Sequence, residues 1–233
     1  MLRYQGQLLG REFPTSMQDG GFVTRVVCPE QDSLHPDNQS EQVALAEQGL
    51  HQAGLLAPKP HLLGMDLLSD STDPCGQEGE RPSWMLLYTS FVHTCSPLRC
   101  GDHFAPIPLY RLPAIANGDH KQIIKWQEDW EACDQLQMNG SIAEHAVLHE
   151  ISEVGSRLQR RGSDLARRLE GLCGIPTYYY LYRVGGLSAA GEKARPCPSC
   201  GGEWALAAPL HEIFDFKCDP CRLVSNLSWD FKD

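Results

Sequence analysis

Cys197-Pro-Ser-Cys200 and Cys218-Asp-Pro-Cys221 place two C-x2-C pairs in one chain with 17 residues between them. Two residues between cysteines allow a tight turn that aims both sulfurs at one point, and a second such turn at this distance completes a four-cysteine metal site. Gly201 and Gly202 directly follow the first pair, so the backbone there can turn freely and bring amides toward the thiolates. Four thiolates close a tetrahedral shell and leave no position for water or substrate, which makes the expected ion, one zinc, structural. Iron is the rival, because the same donor set serves rubredoxin-like electron carriers. Strand-like runs at 203–207, 211–217 and 223–231, with Pro209 at the first turn, complete a zinc ribbon. A unit of roughly 37 residues buries too little to fold by apolar contact alone, so ligation, worth on the order of 10–16 kcal/mol in small zinc peptides, supplies its folding energy.

The rest of the chain sets the context. There are ten cysteines in 233 residues, and the start, MLRYQGQLLGREFP, has no basic, apolar and small-residue order of a secretory leader. The expectation is therefore a cytoplasmic protein with reduced thiols. No apolar run reaches membrane-spanning length, so no membrane partner is expected. Residues 1–140 carry 9 Lys+Arg against 18 Asp+Glu, and residues 141–233 carry 11 against 12. With a net charge of −10, any contact with nucleic acid has to come from a local patch.

The chain before the ribbon is expected to be an α+β domain with a mixed or antiparallel sheet and a helical pair. Gly21–Cys28 is expected as a strand. A helix follows through Val43, Ala46, Leu50 and Ala53, capped by Asn38 with Glu41 and ended by Gly54. His61–Leu68 and Trp84–His93 are expected as buried strands around an exposed loop at 69–82, with Ile107–Leu112 on an edge. Asp119 can cap a helix striped by Ile123, Trp126, Trp130 and Cys133, and Asn139-Gly140 stops it. Ser141 and Glu144 form a capping box for a second, antiparallel helix with Ile151, Val154, Leu158, Leu165, Leu169 and Leu172 on one face, closed at Gly174 and Pro176. Thr177–Arg183 is strand-like. The Gly-rich stretch after it divides the chain into an α+β domain at 1–183, a linker at 184–194 and the ribbon at 195–233.

Six blocks, SPLRC (96–100), PIPLYRLPA (106–114), IKWQEDWEACDQLQMNG (124–140), IPTYYYLYR (175–183), EKARPCPSCGGEW (192–204) and IFDFKCDPCRLVSNLSWDF (213–231), resemble an uncharacterised bacterial family described as zinc-ribbon-containing, with a suggested nucleic-acid-binding role. The resemblance runs from roughly residue 90 to the end, and the metal motif is its most specific part. It implies Cys197, Cys200, Cys218 and Cys221 as ligands and lends no assigned activity.

Other residues are weighed against plainer roles. Arg157, Arg160, Arg161, Arg167 and Arg168 gather on the second helix with Asp164 among them, a local basic patch. Guanidinium groups can grip phosphates in bidentate fashion, and Tyr178, Tyr179, Tyr180 and Tyr182 nearby can stack on bases where exposed. The plainer reading is a solvated helix face beside a buried strand. His145 and His149, one helical turn apart, lack the H-E-x-x-H order and lie on a polar face. His93, Cys95, Cys100 and His103 make a loose H-x-C-x4-C-x2-H cluster after a strand, but the x4 spacing is not a knuckle, so scattered buried or loop thiols are the plainer reading. Glu128, Asp129, Glu131 and Asp134 read as the wet side of the tryptophan helix. No nucleophile elbow, P-loop or dinucleotide fingerprint is present, so the expectation is a non-catalytic protein that binds RNA or DNA, RNA foremost. The alternatives are an adaptor docking a protein through the ribbon aromatics Trp204, Phe214, Phe216, Trp229 and Phe231, and an iron electron carrier.

Overall fold

The architecture is that of a computed structural model, which describes residues 1–72, 75, 81–228 and 230–231. It is mixed α+β. Six strands form the main sheet in the order β4-β3-β5-β8-β7-β6, with β3 Met85–Leu87, β4 Leu98–Cys100, β5 Thr177–Leu181, β6 Ala205–Leu210, β7 Phe214–Cys218 and β8 Leu223–Ser225. The sheet is mixed: β5 runs parallel to both neighbours, β3 and β8, and the remaining pairs are antiparallel. Through the pairing of Tyr179 with Leu223, the ribbon strands continue the same sheet as the tyrosine strand.

β3, β4, β5 and β8 are buried along their whole length. Strands covered on both faces are continuously apolar or aromatic, as MLL and TYYYL are. β7 instead alternates, with Phe214, Phe216 and Cys218 inward and Asp215 and Lys217 outward.

Three helices cover the first half of the sheet: α2 Lys121–Asn139, α3 Glu144–Ser152 and α4 Arg157–Cys173. Trp126 and Trp130 of α2 are fully buried, and Trp126 meets Tyr179 edge to face at 5.9 Å. α4 lies so close to β5 that a Cβ on Gly162 would sit 2.2 Å from the Tyr179 ring and 2.7 Å from Trp126 Nε1.

Several sequence expectations are corrected. The expected single second helix is two, because the chain turns at Gly155 (φ +90°) and Ser156 caps a new start by accepting from the Gln159 amide. The capping box at Ser141 does not form, since Ala143 stands before α3 in the left-handed region with no side-chain cap. α1 Glu41–Gln52 is capped by Ser40, not Asn38. His61–Leu68 is not a buried strand: Leu62, Leu63 and Leu67 are 74%, 79% and 98% exposed, and a short apolar run does not by itself mark core. Gly21–Thr24 does form a strand, β2, but it pairs with β1 Thr15–Gln18 in an exposed hairpin. Ile107–Leu112 holds a 3-10 turn at Leu109–Arg111. In the expected linker, a short helix α5 Ala189–Lys193 carries a buried Glu192 that pairs with Arg183 and Arg195. Among the described residues, no helix is long and apolar enough to cross a membrane.

Candidate metal centre

The four ribbon cysteines come from two turns at one end of β7 and β8. Cys197, Cys200, Cys218 and Cys221 bring their sulfurs within 4.8 Å of one another. The Cys200 and Cys218 sulfurs are 3.7 Å apart, against about 3.8 Å expected for two thiolates at 2.3 Å from one tetrahedral zinc. The set can therefore hold a metal ion.

Local backbone bonds build the first turn. The Gly201 amide donates to the Cys197 carbonyl at 2.8 Å, and the Cys197 amide donates to the Gly202 carbonyl, also at 2.8 Å. The chain closes this turn at Gly201 with φ +72°, which glycine takes without strain. The second turn puts Arg222 in the same place, directly after its second cysteine, at φ +52°. That conformation costs a residue with a side chain on the order of 1 kcal/mol. Arg222 is held there by contacts that offset the strain: its guanidinium reaches both Glu170 oxygens, at 2.9–3.3 Å, and the Asp219 carbonyl at 2.8 Å. Glu170 lies on α4, so this knuckle is anchored to the helix layer.

The thiols differ. The Gly202 amide, and then the neighbouring sulfurs, draw the Cys200 thiol down to about 7, so the most exposed of the four is the readiest thiolate. Burial pushes the Cys218 thiol up. A cation at the centre favours all four thiolates, and binding releases protons.

The ribbon's aromatic side chains turn inward. Phe214 packs against Tyr88, Phe104 and Tyr180 with ring centroids 5.4–5.9 Å apart. Trp204 and Phe216 lie together at 5.0 Å, and the Arg195 guanidinium stands 4.7 Å from each ring. Trp204, Phe214 and Phe216 are therefore committed within the chain, Phe214 against rings of the preceding domain, which leaves these three rings unavailable to dock a protein partner. Trp229 lies outside the described residues.

Tyr178 and Tyr180, expected to stack on bases, are 3% and 6% exposed. Tyr178 donates its hydroxyl to Asp219 at 2.6 Å and Tyr180 to Asn226 at 3.1 Å, so both hold the ribbon against β5 and offer no free ring face. Arg157, Arg160, Arg161, Arg167 and Arg168 are all exposed along α4. Arg161 pairs with Asp129 at 2.7 Å and Arg168 with Asp164 at 2.8 Å, while Arg167 stands 3.9 Å from Asp164. Arg157 and Arg160 have no ion pair among the described residues. His145 and His149 are exposed, and His149 meets Glu153 at 2.9 Å.

The sequence missed Cys75. Its sulfur lies with Cys100 and His103 in a second group whose donor atoms fall within 4.8 Å of one another. His93 and Cys95, grouped by sequence with Cys100 and His103, go elsewhere: His93 Nδ1 meets the Ser90 hydroxyl at 2.7 Å, and the Cys95 sulfur accepts from the Asp70 amide at 3.2 Å. Proximity along the chain was the only signal available there.

Three domains of unknown function match the chain: DUF8589 over residues 1–64, DUF2310 over 79–182 and DUF8594 over 186–231. No solved structure matches it. Two uncharacterized proteins of Haemophilus influenzae are each 50% identical to it, one over 98% of this chain and 88% of its own length, the other over 77% and 87%. The chain belongs to the bacterial family of these uncharacterized Haemophilus proteins, across its whole length and not only in the cysteine-bearing end.

Proposed function

We propose that the chain is a non-catalytic zinc-ribbon protein that binds nucleic acid, RNA foremost, along the exposed face of α4. The observation that carries the reading is the stripe of five exposed arginines, Arg157 to Arg168, on a protein whose net charge is −10. Spacings of three and four residues put Arg157, Arg160, Arg161 and Arg168 on one side of the helix. A basic stripe kept on an acidic protein is suited to phosphates, which guanidinium groups bind in bidentate fashion. With the tyrosine rings buried, base stacking has no part in this reading, and contact is to the backbone. The ribbon's role is architectural: zinc fixes the β7–β8 turn, and that turn anchors α4 through Glu170 and Arg222. Zinc is preferred to iron as the usual ion of a closed four-cysteine structural site. Colourless purified protein with one equivalent of zinc in the ribbon fits, and the red of a ferric tetrathiolate would replace this reading with an electron carrier.

The test is titration of metal-loaded protein with single-stranded RNA and duplex DNA at two salt concentrations. Arg157→Ala, Arg160→Ala and Arg167→Ala, combined, remove the cations least committed to ion pairs. Affinity for RNA should fall with salt in the parent, and the slope should drop by roughly 2 in the triple variant if each contact contributes about 0.7. Equal affinity in parent and variant sinks the assignment of this face.

A further inference from the structure

We infer that the chain carries a second zinc site, built by Cys75, Cys100 and His103, in which Cys100-Gly-Asp-His103 is a third metal knuckle. The inference rests on backbone geometry repeated at two places in the molecule. In the first ribbon turn, the amide four residues after Cys197 donates to the Cys197 carbonyl at 2.8 Å, and the Cys197 amide donates to the carbonyl five residues on at 2.8 Å. In the turn after β4, the Phe104 amide donates to the Cys100 carbonyl at 2.9 Å, and the Cys100 amide donates to the Ala105 carbonyl at 2.9 Å. Each turn closes on a left-handed residue directly after its second donor, Gly201 at φ +72° and Phe104 at φ +59°. A bulky residue at positive φ is a conformation the surroundings must enforce. Phe104 is held by stacking on His211 at 5.2 Å and by the Arg99 guanidinium at 4.7 Å.

The donor spacings agree with one tetrahedral ion. Cys75 and Cys100 sulfurs are 3.9 Å apart, and His103 Nδ1 is 3.4 Å from the first and 3.5 Å from the second. Zinc bonds of about 2.3 Å to sulfur and 2.05 Å to nitrogen place sulfurs about 3.8 Å apart and sulfur and nitrogen about 3.5 Å apart. Two thiolates with an imidazole suit zinc, and three protein donors leave the fourth position unassigned among the described residues.

Residues 68–70, upstream of Cys75, are tied to the chain beside β4 independently of any ion. Asp70 pairs with the buried Arg99 at 2.7 Å, Ser69 donates to the Thr94 carbonyl at 2.6 Å, and the Thr94 amide donates to the Leu68 carbonyl at 2.9 Å. The knuckle is braced on its other flank. Asp102 accepts from the Ser83 amide at 2.6 Å, and His211, from the turn between β6 and β7, donates through Nε2 to the Gly101 carbonyl at 2.7 Å. Metal here would clamp Cys75 to the end of β4, and the turn after β4 already touches the ribbon through His211.

The test is metal counting on tag-free, reduced, full-length protein, with Zn(II) and then Co(II) as probes. The parent should hold two ions per chain. Cys75→Ser and His103→Ala should each hold one, with the four-thiolate cobalt absorption of the ribbon unchanged, whereas Cys197→Ser should lose that absorption and keep the second ion. His103→Cys should restore two ions and strengthen the thiolate-to-cobalt charge-transfer band, because a third thiolate replaces the imidazole; a role in folding alone would not give that signature. Cys75 and His103 are only partly buried or exposed, so circular dichroism should report intact folds. One ion in the parent, an unchanged count in Cys75→Ser and His103→Ala, or a Cys75–Cys100 disulfide in reduced metal-loaded protein would each overturn the inference.

Discussion

The two halves of the main sheet are held by different means. At the β4-β3-β5 end, three helices supply a core: Trp126, Trp130, Ile123, Ile151 and Leu169 are all at most 2% exposed. At the β8-β7-β6 end, no helix among the described residues covers the strands in the same way. There the order depends on Phe214 and Phe216, docked inward, and on four sulfurs gathered at the strand ends. Apolar burial scales with the area a segment can hide, and a three-stranded ribbon hides little; ligation acts at a point and does not need area. The halves meet at the β5–β8 pairing and at the pair of Glu170 with Arg222.

The largest effect should come from unloading the ligated half. Cys218→Ser removes a buried ligand, and loss of the ion should cost several kcal/mol, roughly 10 °C or more in Tm for a chain of this size. Because the Tyr179 amide donates to the Arg222 carbonyl at 2.8 Å, hydrogen exchange should quicken at Tyr179 while the α2 amides stay protected. Loss of protection throughout α2 would mean that the two halves are one cooperative unit and that the contrast between them is only architectural.

The helix-covered half is tested by Gly162→Ala. The added methyl would enter the space of Tyr179 and Trp126, and overpacking of this kind costs about 1–3 kcal/mol. Gly171 lies on the same helix, exposed, with nothing near its would-be Cβ, so Gly171→Ala should stabilise by about 0.5–1 kcal/mol. Both variants should keep the parent metal content. A change in metal stoichiometry for Gly162→Ala would show that the ribbon's geometry depends on helix packing.

These two halves were also unequally legible in sequence. The cysteine-bearing end could be read directly, because both turns are local: each C-x2-C spacing, and the glycines after the first, are visible within six residues. The tryptophan helix and its stop at Gly140, with φ +61°, were legible for the same reason. What could not be read was whatever the sheet assembles from distant segments. Cys75 meets Cys100 and His103 only after β4 is placed and Asp70 pairs with Arg99. The arginines were found on the surface where the pattern put them, but the tyrosines were buried on both faces, since TYYYL carries no polar alternation to mark an open side. His61–Leu68 failed in the opposite direction, an apolar run that nothing covers.

Acid should separate the halves by a different route. Burial holds the imidazole of His120, at the start of α2, down to about 4 from its ordinary 6.5. The unfolded chain takes up this proton below about 6.5 and the folded chain only below about 4. Stability therefore falls as pH drops through that window and levels off beneath it, by on the order of 3 kcal/mol. His120→Gln should flatten that part of the pH–stability curve with metal content unaltered at neutral pH. An unchanged curve would assign acid sensitivity to proton competition at the thiolates instead.

At the junction between the halves, strain and tether can be told apart. Arg222→Ala keeps a side chain at φ +52° and loses the contact with Glu170, so it should cost about 1–2 kcal/mol. Arg222→Gly loses the same contact but relieves the backbone, and its cost should be smaller by about 1 kcal/mol. The difference in Tm between the two variants measures the strain, and what remains for the glycine measures the tether between ribbon and α4. If glycine and alanine are equally destabilising, the second knuckle holds Arg222 in place without strain, and the guanidinium alone joins the ligated half of the sheet to the helix-covered half.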